Sequence, residues 1–444
     1  MSRTLGRRDV LRIGVVGASA AGLAAAFAAC QQLAPPAQQG APAKAAKLRY
    51  WYAVDAPDPA KFLVPLGDKW AQSGKSAVEF LQIPYSDLDT KFLSAFATRD
   101  NAPDIFYGIV SRWAGATAVA DPVPDTIAKR LDKEFLDALA PGYKINGKWY
   151  GGTQSGCPGL GPMLIYNPED FVEVGLDPTK PPKTMDEMLE YSRKLVKRDA
   201  SGTVIRSGFA HRYDGALGAG IGGKFIPFLH SFGGRIYDPE SGKAQGVTNS
   251  PEAIAALEYC VKYTVGEKLS SMTFGVPEQQ FGQRKASMMF REGHMIGWLP
   301  ANFPNIKFEF APVPKGKAEG MGITGTDSWA PMVYKFSPNK ELAWEFLDKF
   351  ILTAESDLNN SKAMGSVPGF KANWEGEYMR TRKDNAALQY GLTHSAGVMY
   401  QHKSNAEMTD RQAVGVQEAL LGKKSPKEAL DAAAADMEKI RAKV

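Results

Sequence analysis

From residue 48 onward the sequence keeps returning to one pattern: a short apolar run, a turn, then an amphipathic stretch opened by a helix-capping residue. Leu48–Val54 (LRYWYAV) reads as a strand, and Asp58-Pro59 offers a cap and a first-turn proline to the helix after it. Ser86 and Asp89 bracket the start of another helix, in which Leu88, Phe92 and Ala95 recur at helical spacing. Ile105-Phe106-Tyr107 follows as a strand after the Ala102-Pro103-Asp104 turn, and Met163–Tyr166 is a further apolar run. Thr184 and Glu187 form a capping box ahead of Met188, Tyr191 and Leu195. Ser250-Pro251-Glu252 opens a helix with Ile254, Leu257 and Val261, and Leu342, Phe346 and Phe350 stripe another. Ser425 and Glu428 cap a last helix with Leu430, Ala433, Met437 and Ile440. A strand or helix with one apolar face must bury it against another layer, so this alternation predicts α/β architecture. With 444 residues the chain exceeds one ordinary core and suits two or three lobes of about 100–200 residues.

The first 47 residues follow different rules. Arg7-Arg8 and Arg12 precede an uncharged stretch, Ile13 to Ala29, that ends in Phe27-Ala28-Ala29-Cys30. A basic start, an apolar middle and a small-residue exit are the parts of an export signal, and the arginine pair resembles a twin-arginine signal. Ala28-Ala29-Cys30 resembles the bacterial lipoprotein cleavage box, which makes Cys30 the expected lipidation site and residues 1–29 the signal. Residues 30–47, rich in Ala, Pro and Gln, then form a flexible tether. Gly14, Gly17 and Gly22 imitate a dinucleotide-binding turn, but Ser19 stands where that turn needs a glycine. No acid for a ribose occurs between Asp9 and Asp55.

Charge and chemistry narrow the function. The formal net charge is +5, of which the signal contributes +3 through four arginines and one aspartate. The remainder lacks the concentrated basic stripe of a nucleic-acid surface. No apolar run of about 18 residues follows residue 30. Five histidines form no His-Glu-x-x-His set, no Gly-x-Ser-x-Gly elbow occurs, and Cys157 and Cys260 are too few for a zinc cluster. No metal or cofactor is expected. Cys157 and Cys260 either pair in an oxidising compartment or leave Cys260 facing the core at helical spacing from Leu257.

Several segments occur in an order that resembles family 1 of the extracellular solute-binding proteins, the sugar-binding lipoproteins of ABC importers. They are Tyr85–Lys91 through Ile105; Asn146–Tyr150 leading to Leu164–Asn167; Pro181 to Leu195; Phe232–Arg235; Ser250–Glu252; Lys285–Met288 with Gly293; Pro312–Pro314; Ser337–Phe346; and Ser425–Leu430. Thr153–Pro162 departs from the family pattern. The resemblance implies a two-lobed periplasmic-binding-protein fold with a ligand cleft between lobes: 48–156 plus 311–360 for lobe 1, 157–310 plus 361–444 for lobe 2. It implies a monomer, exported and lipid-anchored at the outer face of the membrane or in the periplasm. Hinge closure on a carbohydrate would be followed by delivery to ABC permease membrane subunits, without catalysis. The alternatives are a secreted carbohydrate-active hydrolase and a binder of acidic sugars or polyol phosphates. Arg112, Arg212 and Arg291 leave an anionic ligand open.

Sugars present hydroxyl rims and apolar ring faces, which call for carboxylates, amides and guanidinium groups beside Trp or Tyr plates. In α/β sheets ligands lie beyond the carboxyl ends of strands. The resemblance and this rule together nominate Asp55, Ser111, Arg112, Trp298, Asp327, Trp329 and Tyr400 as ligand-binding. Trp113 reads as core more than plate. His211-Arg212-Tyr213-Asp214 reads as a solvated loop more than as a cleft rim, and His402 lies near Tyr400.

Overall fold

The computed structural model describes residues 47–53, 57–99, 101–116, 118–153, 158–160, 162–320, 323–394, 400 and 402–443. Its strands of interest are β1 (Leu48–Ala53), β2 (Val78–Ile83), β3 (Ile105–Ile109), β4 (Ala120–Asp121), β5 (Pro158–Leu160), β6 (Met163–Tyr166), β7 (Met288–Arg291), β8 (Glu309–Ala311) and β9 (Ile323–Tyr334). The helices that frame the site are α1 (Ala60–Gln72), α2 (Leu88–Thr98), α3 (Met185–Leu195), α4 (Gly223–Ser231), α5 (Pro251–Val261), α6 (Met295–Asn302), α7 (Asn405–Leu420) and α8 (Pro426–Arg441).

Two sheets organise the molecule. The first has the order β2-β1-β3-β9-β4. Its first three strands are parallel, whereas β9 returns antiparallel to β3 with Trp329 opposite Ile109 and Val333 opposite Ile105. The second runs β7-β6-β8, all antiparallel. β9 also pairs with β5 through Ile323↔Leu160 and Ser328↔Pro158, so the passage toward β6 and the long strand back into the first sheet run side by side. Residues Met163, Arg291 and Ala311 mark the end of the second sheet nearest this passage.

Local sequence rules account for much of this. Thr184 accepts a hydrogen bond from the Glu187 amide at 3.1 Å while Glu187 accepts one from the Thr184 amide, and Ser425 and Glu428 repeat the box before α8. Asp58 accepts from the Ala60 amide at 3.0 Å. On α2, Leu88, Phe92 and Ala95 are buried as their spacing predicts. The Leu342–Phe350 stripe is interrupted: the α-helix ends at Phe346 and the chain continues in a wider π-type turn, Leu347–Ile351. Phe346 and Phe350 nonetheless both meet Trp70 edge-on, at 5.6 and 5.8 Å.

The core under the first sheet is aromatic. Trp113 lies against Phe92, Phe96 and Phe106 with ring centroids 5.4–6.0 Å apart, and a Cβ on Gly108 would come 2.6 Å from its ring. Glycine there lets the indole reach the strand. Asp357, fully buried, accepts from Thr153 Oγ1, the Gly369 and Phe370 amides and Asn373 Nδ2. It thereby ties the segment before β5 to the late chain. α7 and α8 pack on each other and on α5, and α7 also meets the Ser111–Ala116 turn after β3. Cys260 of α5 is a buried free thiol, and burial pushes its pKa up; Cys157 lies outside the described residues. Among the described residues, no helix is long and apolar enough to cross a membrane.

Candidate functional site

The parallel strands β1, β2 and β3 end on one edge of the first sheet, where residues 84–87 and 110–116 leave β2 and β3 and residues 57–59 lead into α1. Ser111, Arg112 and Trp113 leave it in a wide π-type turn, Ser111–Ala116. Ser111 is buried and Trp113 sits in the core described above, while Arg112 is partly exposed at the rim. Trp329, opposite Ile109, is brought to the same edge by the antiparallel register of β9. Its indole lies 5.4 Å from the Tyr107 ring and 5.8 Å from that of Tyr85, tilted 32° and 39°. Tyr85 is 46% exposed and Trp329 only partly buried. The edge therefore carries two partly open rings, Trp329 and Tyr85, backed by the buried Tyr107, and open aromatic rings are the groups that stack on an apolar sugar face.

Arg112 supplies the charge beside it. Its guanidinium lies 3.1 Å from Asp89 of α2 and 3.8 Å from Asp410 of α7. Asp410 also accepts the Gly218 amide at 2.8 Å, where a Cβ on Gly218 would come 2.8 Å from the carboxylate. Burial raises the pKa of both acids and outweighs the lowering by Arg112. The first sheet's rim and α7 thus meet at one cation between two carboxylates.

The remaining nominated residues are dispersed. Asp55 lies outside the described residues, and the same holds for Cys30 and the whole signal and tether up to residue 46. Asp327 belongs to β9, two residues before Trp329. Trp298, on α6, packs 5.9 Å from Phe303 beside a satellite cluster of Ile165, Phe281, Met295 and Leu299, apart from the Trp329 group. Tyr400 is fully buried: its hydroxyl lies 3.1 Å from His230 Nε2 and accepts the Ile236 amide, so it is a core strut and presents no plate. His402 accepts the Ser404 amide and faces Gly242.

His211-Arg212-Tyr213-Asp214 departs from the expected solvated loop. His211 and Tyr213 are buried and Asp214 alone is exposed. Apolar burial lowers the His211 pKa to about 3, leaving the ring neutral between Phe209, Phe228 and Tyr263. Arg212 and Arg291 both pair with Glu278. Arg291 also pairs with Glu292, which Lys224 meets at 2.5 Å. Burial alone raises the Glu278 carboxyl, but Arg291 and Arg212 overcome that and hold it at about 2. Among the described residues no group of three or more His, Cys, Asp or Glu side chains is placed to hold a metal ion.

Tyr85, Tyr107, Asp89 and Asp410 were not nominated from sequence as site residues. The tyrosines carried a signal, since each stands at or near a strand end; the two aspartates carried none.

The chain is similar to known proteins in sequence and in fold. The family model for bacterial extracellular solute-binding proteins matches residues 55–356. A putative binding protein of Brucella abortus (strain 2308) is 23% identical over 384 residues, covering 83% of this chain and 87% of its own. The sn-glycerol-3-phosphate-binding periplasmic protein UgpB of Shigella flexneri serotype 5b is 31% identical over 128 residues, 28% of each chain. An ABC substrate-binding protein from Listeria monocytogenes, solved in complex with cycloalternan, superposes with a TM-score of 0.73 at 18% identity, over 89% of this chain and 99% of that one. The fold is therefore the α/β periplasmic-binding-protein fold, and the chain belongs to the bacterial extracellular solute-binding protein family, the non-catalytic binding components that work with ABC permease subunits.

Proposed function

We propose that the protein captures a neutral mono- or oligosaccharide and delivers it to its permease. The observation that carries this reading is the ring group of Trp329, Tyr85 and Tyr107 at the carboxyl edge of the first sheet; Ser111 and Arg112 at that edge are assigned as polar partners, and Asp55 and Asp327 join them on the sequence reading alone. Trp298 and Tyr400 are left out of the ligand shell on the grounds of their packing. The cleft lies between a lobe of 48–156 plus 311–360 and a lobe of 157–310 plus 361–444. Closure is a hinge motion about the paired β5 and β9.

A neutral ligand is favoured because Arg112, the arginine at the edge that carries the rings, already lies between two carboxylates. An acidic sugar or polyol phosphate is the second reading, favoured by the similarity to the glycerol-phosphate binder. Export through the Arg7-Arg8 signal and anchorage through a lipid on Cys30 complete the proposal, with the protein acting as a monomer.

A thermal-shift screen of sugars, polyols, uronates and glycerol phosphates tests it. A ligand at a hundredfold excess over Kd adds about 2.7 kcal/mol to the folded state. A shift with a neutral sugar, recovered unchanged, supports the reading; a shift only with anionic compounds selects the second; turnover would return the hydrolase.

A further inference from the structure

A void of about 10 Å³ lies between α4, α5 and α7, lined by His211, Arg212, Lys224, Phe228, Cys260 and Val416, among others. That is room for a single small occupant of about water size. Two of the lining side chains present buried nitrogens with no hydrogen-bond partner among the described residues: His211 Nε2 and Arg212 Nε. His211 is 3% exposed. Arg212 Nε–H is a donor, and His211 Nε2 is a second one when the neutral ring carries its proton there; an unpaired donor in such a place costs about 1–3 kcal/mol, so the void asks for an acceptor.

The charges around it do not balance. Lys224, Arg212 and Arg291 are cations, and Glu278 and Glu292 are the acids they contact. His294, 3.4 Å from Arg291, adds no compensation, because burial and then Arg291 bring its pKa to about 4. All five charged side chains are 13% exposed or less. One positive charge is thus left over in a buried network, where uncompensated charge is unfavourable. A water molecule would satisfy the donors but not the charge.

We propose that this void binds one small monovalent inorganic anion of halide size, held by Arg212, Lys224 and a His211 N–H. The ion would join α4, which carries Lys224 and Phe228, to α7, which carries Val416 and, further toward its start, Asp410. It would therefore stiffen the wall that meets Arg112, while the sugar cleft itself remains separate from it.

Crystals of the protein grown without halide and soaked in sodium bromide test the site directly. The expected result is an anomalous bromine peak between Arg212, Lys224 and His211. Its absence, or an unchanged peak without anomalous signal (a water), overturns the proposal. In parallel, thermal midpoints are recorded as chloride replaces gluconate at constant ionic strength. Each tenfold rise in chloride above Kd is expected to add stability equivalent to a factor of ten, about 1.4 kcal/mol, and Lys224→Met is expected to abolish the dependence. A bromide peak in a protein whose midpoint ignores chloride would mean an adventitious ion only, and also overturns it. Should Lys224→Met fail to fold, the wild-type soak and titration still decide.

Discussion

Arg112, at the rim of the first sheet, lies 3.8 Å from Asp410 of α7 while holding Asp89 at 3.1 Å. One guanidinium therefore joins the edge that carries the ring group to α7 of the late chain. The three side chains are 26–46% exposed, so solvent and salt screen them and the stabilisation of the fold is about 1 kcal/mol or less. The consequence is conformational. Asp410→Asn is expected to leave the unfolding midpoint nearly unchanged but to enlarge the radius of gyration of the unliganded protein by small-angle scattering, as raised salt should in the wild type. A radius indifferent to both would remove this contact as a closure element.

Trp329 and Tyr400 separate ligand contact from packing. Trp329→Ala is expected to weaken sugar binding by about tenfold or more with a modest loss of stability, because the ring is only partly buried. Tyr400→Phe should do the reverse. It strands His230 Nε2 and the Ile236 amide, costing about 1–3 kcal/mol with affinity unchanged. Calorimetric titration beside denaturant unfolding distinguishes the two patterns.

Asp357 is the most heavily used buried acceptor near the passage between the sheets. Asp357→Ala leaves Thr153, Asn373 and two backbone amides without their partner, and a loss of about 3–5 kcal/mol is expected from urea unfolding. A loss below about 1 kcal/mol would mean that water replaces the carboxylate.

Acid should destabilise the protein through its buried histidines. Burial lowers His230 to about 3, with Arg235 adding to it, and lowers His211 to about 3 and His294 to about 4. Each pKa is depressed in the folded state, so the unfolded chain takes up the proton first as pH falls. Stability is full above about pH 6.5 and is lost as pH drops toward the folded values. His230→Gln, which keeps a partner for Tyr400, should reduce the slope of stability between pH 6 and 5 by about 1.4 kcal/mol per pH unit. An unchanged slope would contradict a neutral buried His230.

Thr184→Ala and Ser425→Ala each remove one side of a capping box and should cost about 1 kcal/mol. The two helix starts are distant in sequence and share no partner in their caps, so the double variant is expected to be additive.

What the chain fixed by itself lies within a few residues of each signal. The capping boxes at Thr184 and Ser425, the Asp58 cap, the buried stripe of α2 and the strand at Ile105 all depend on bonds or periodicities no longer than a helical turn. The sequence states these directly, and the order of such elements carried the family. Residues whose meaning depends on a distant partner stayed ambiguous. Trp113, Trp298, Trp329 and Tyr400 are alike in sequence as large aromatic residues, yet one fills a core, one packs on Phe303, one meets two tyrosines at a sheet edge and one braces His230. The antiparallel return of β9 beside β3 decides the third, and the packing of the late chain on the second sheet's helices decides the last. Arg112 meeting Asp410, and His211 losing its charge, follow from desolvation and proximity, which exist only once the chain has folded.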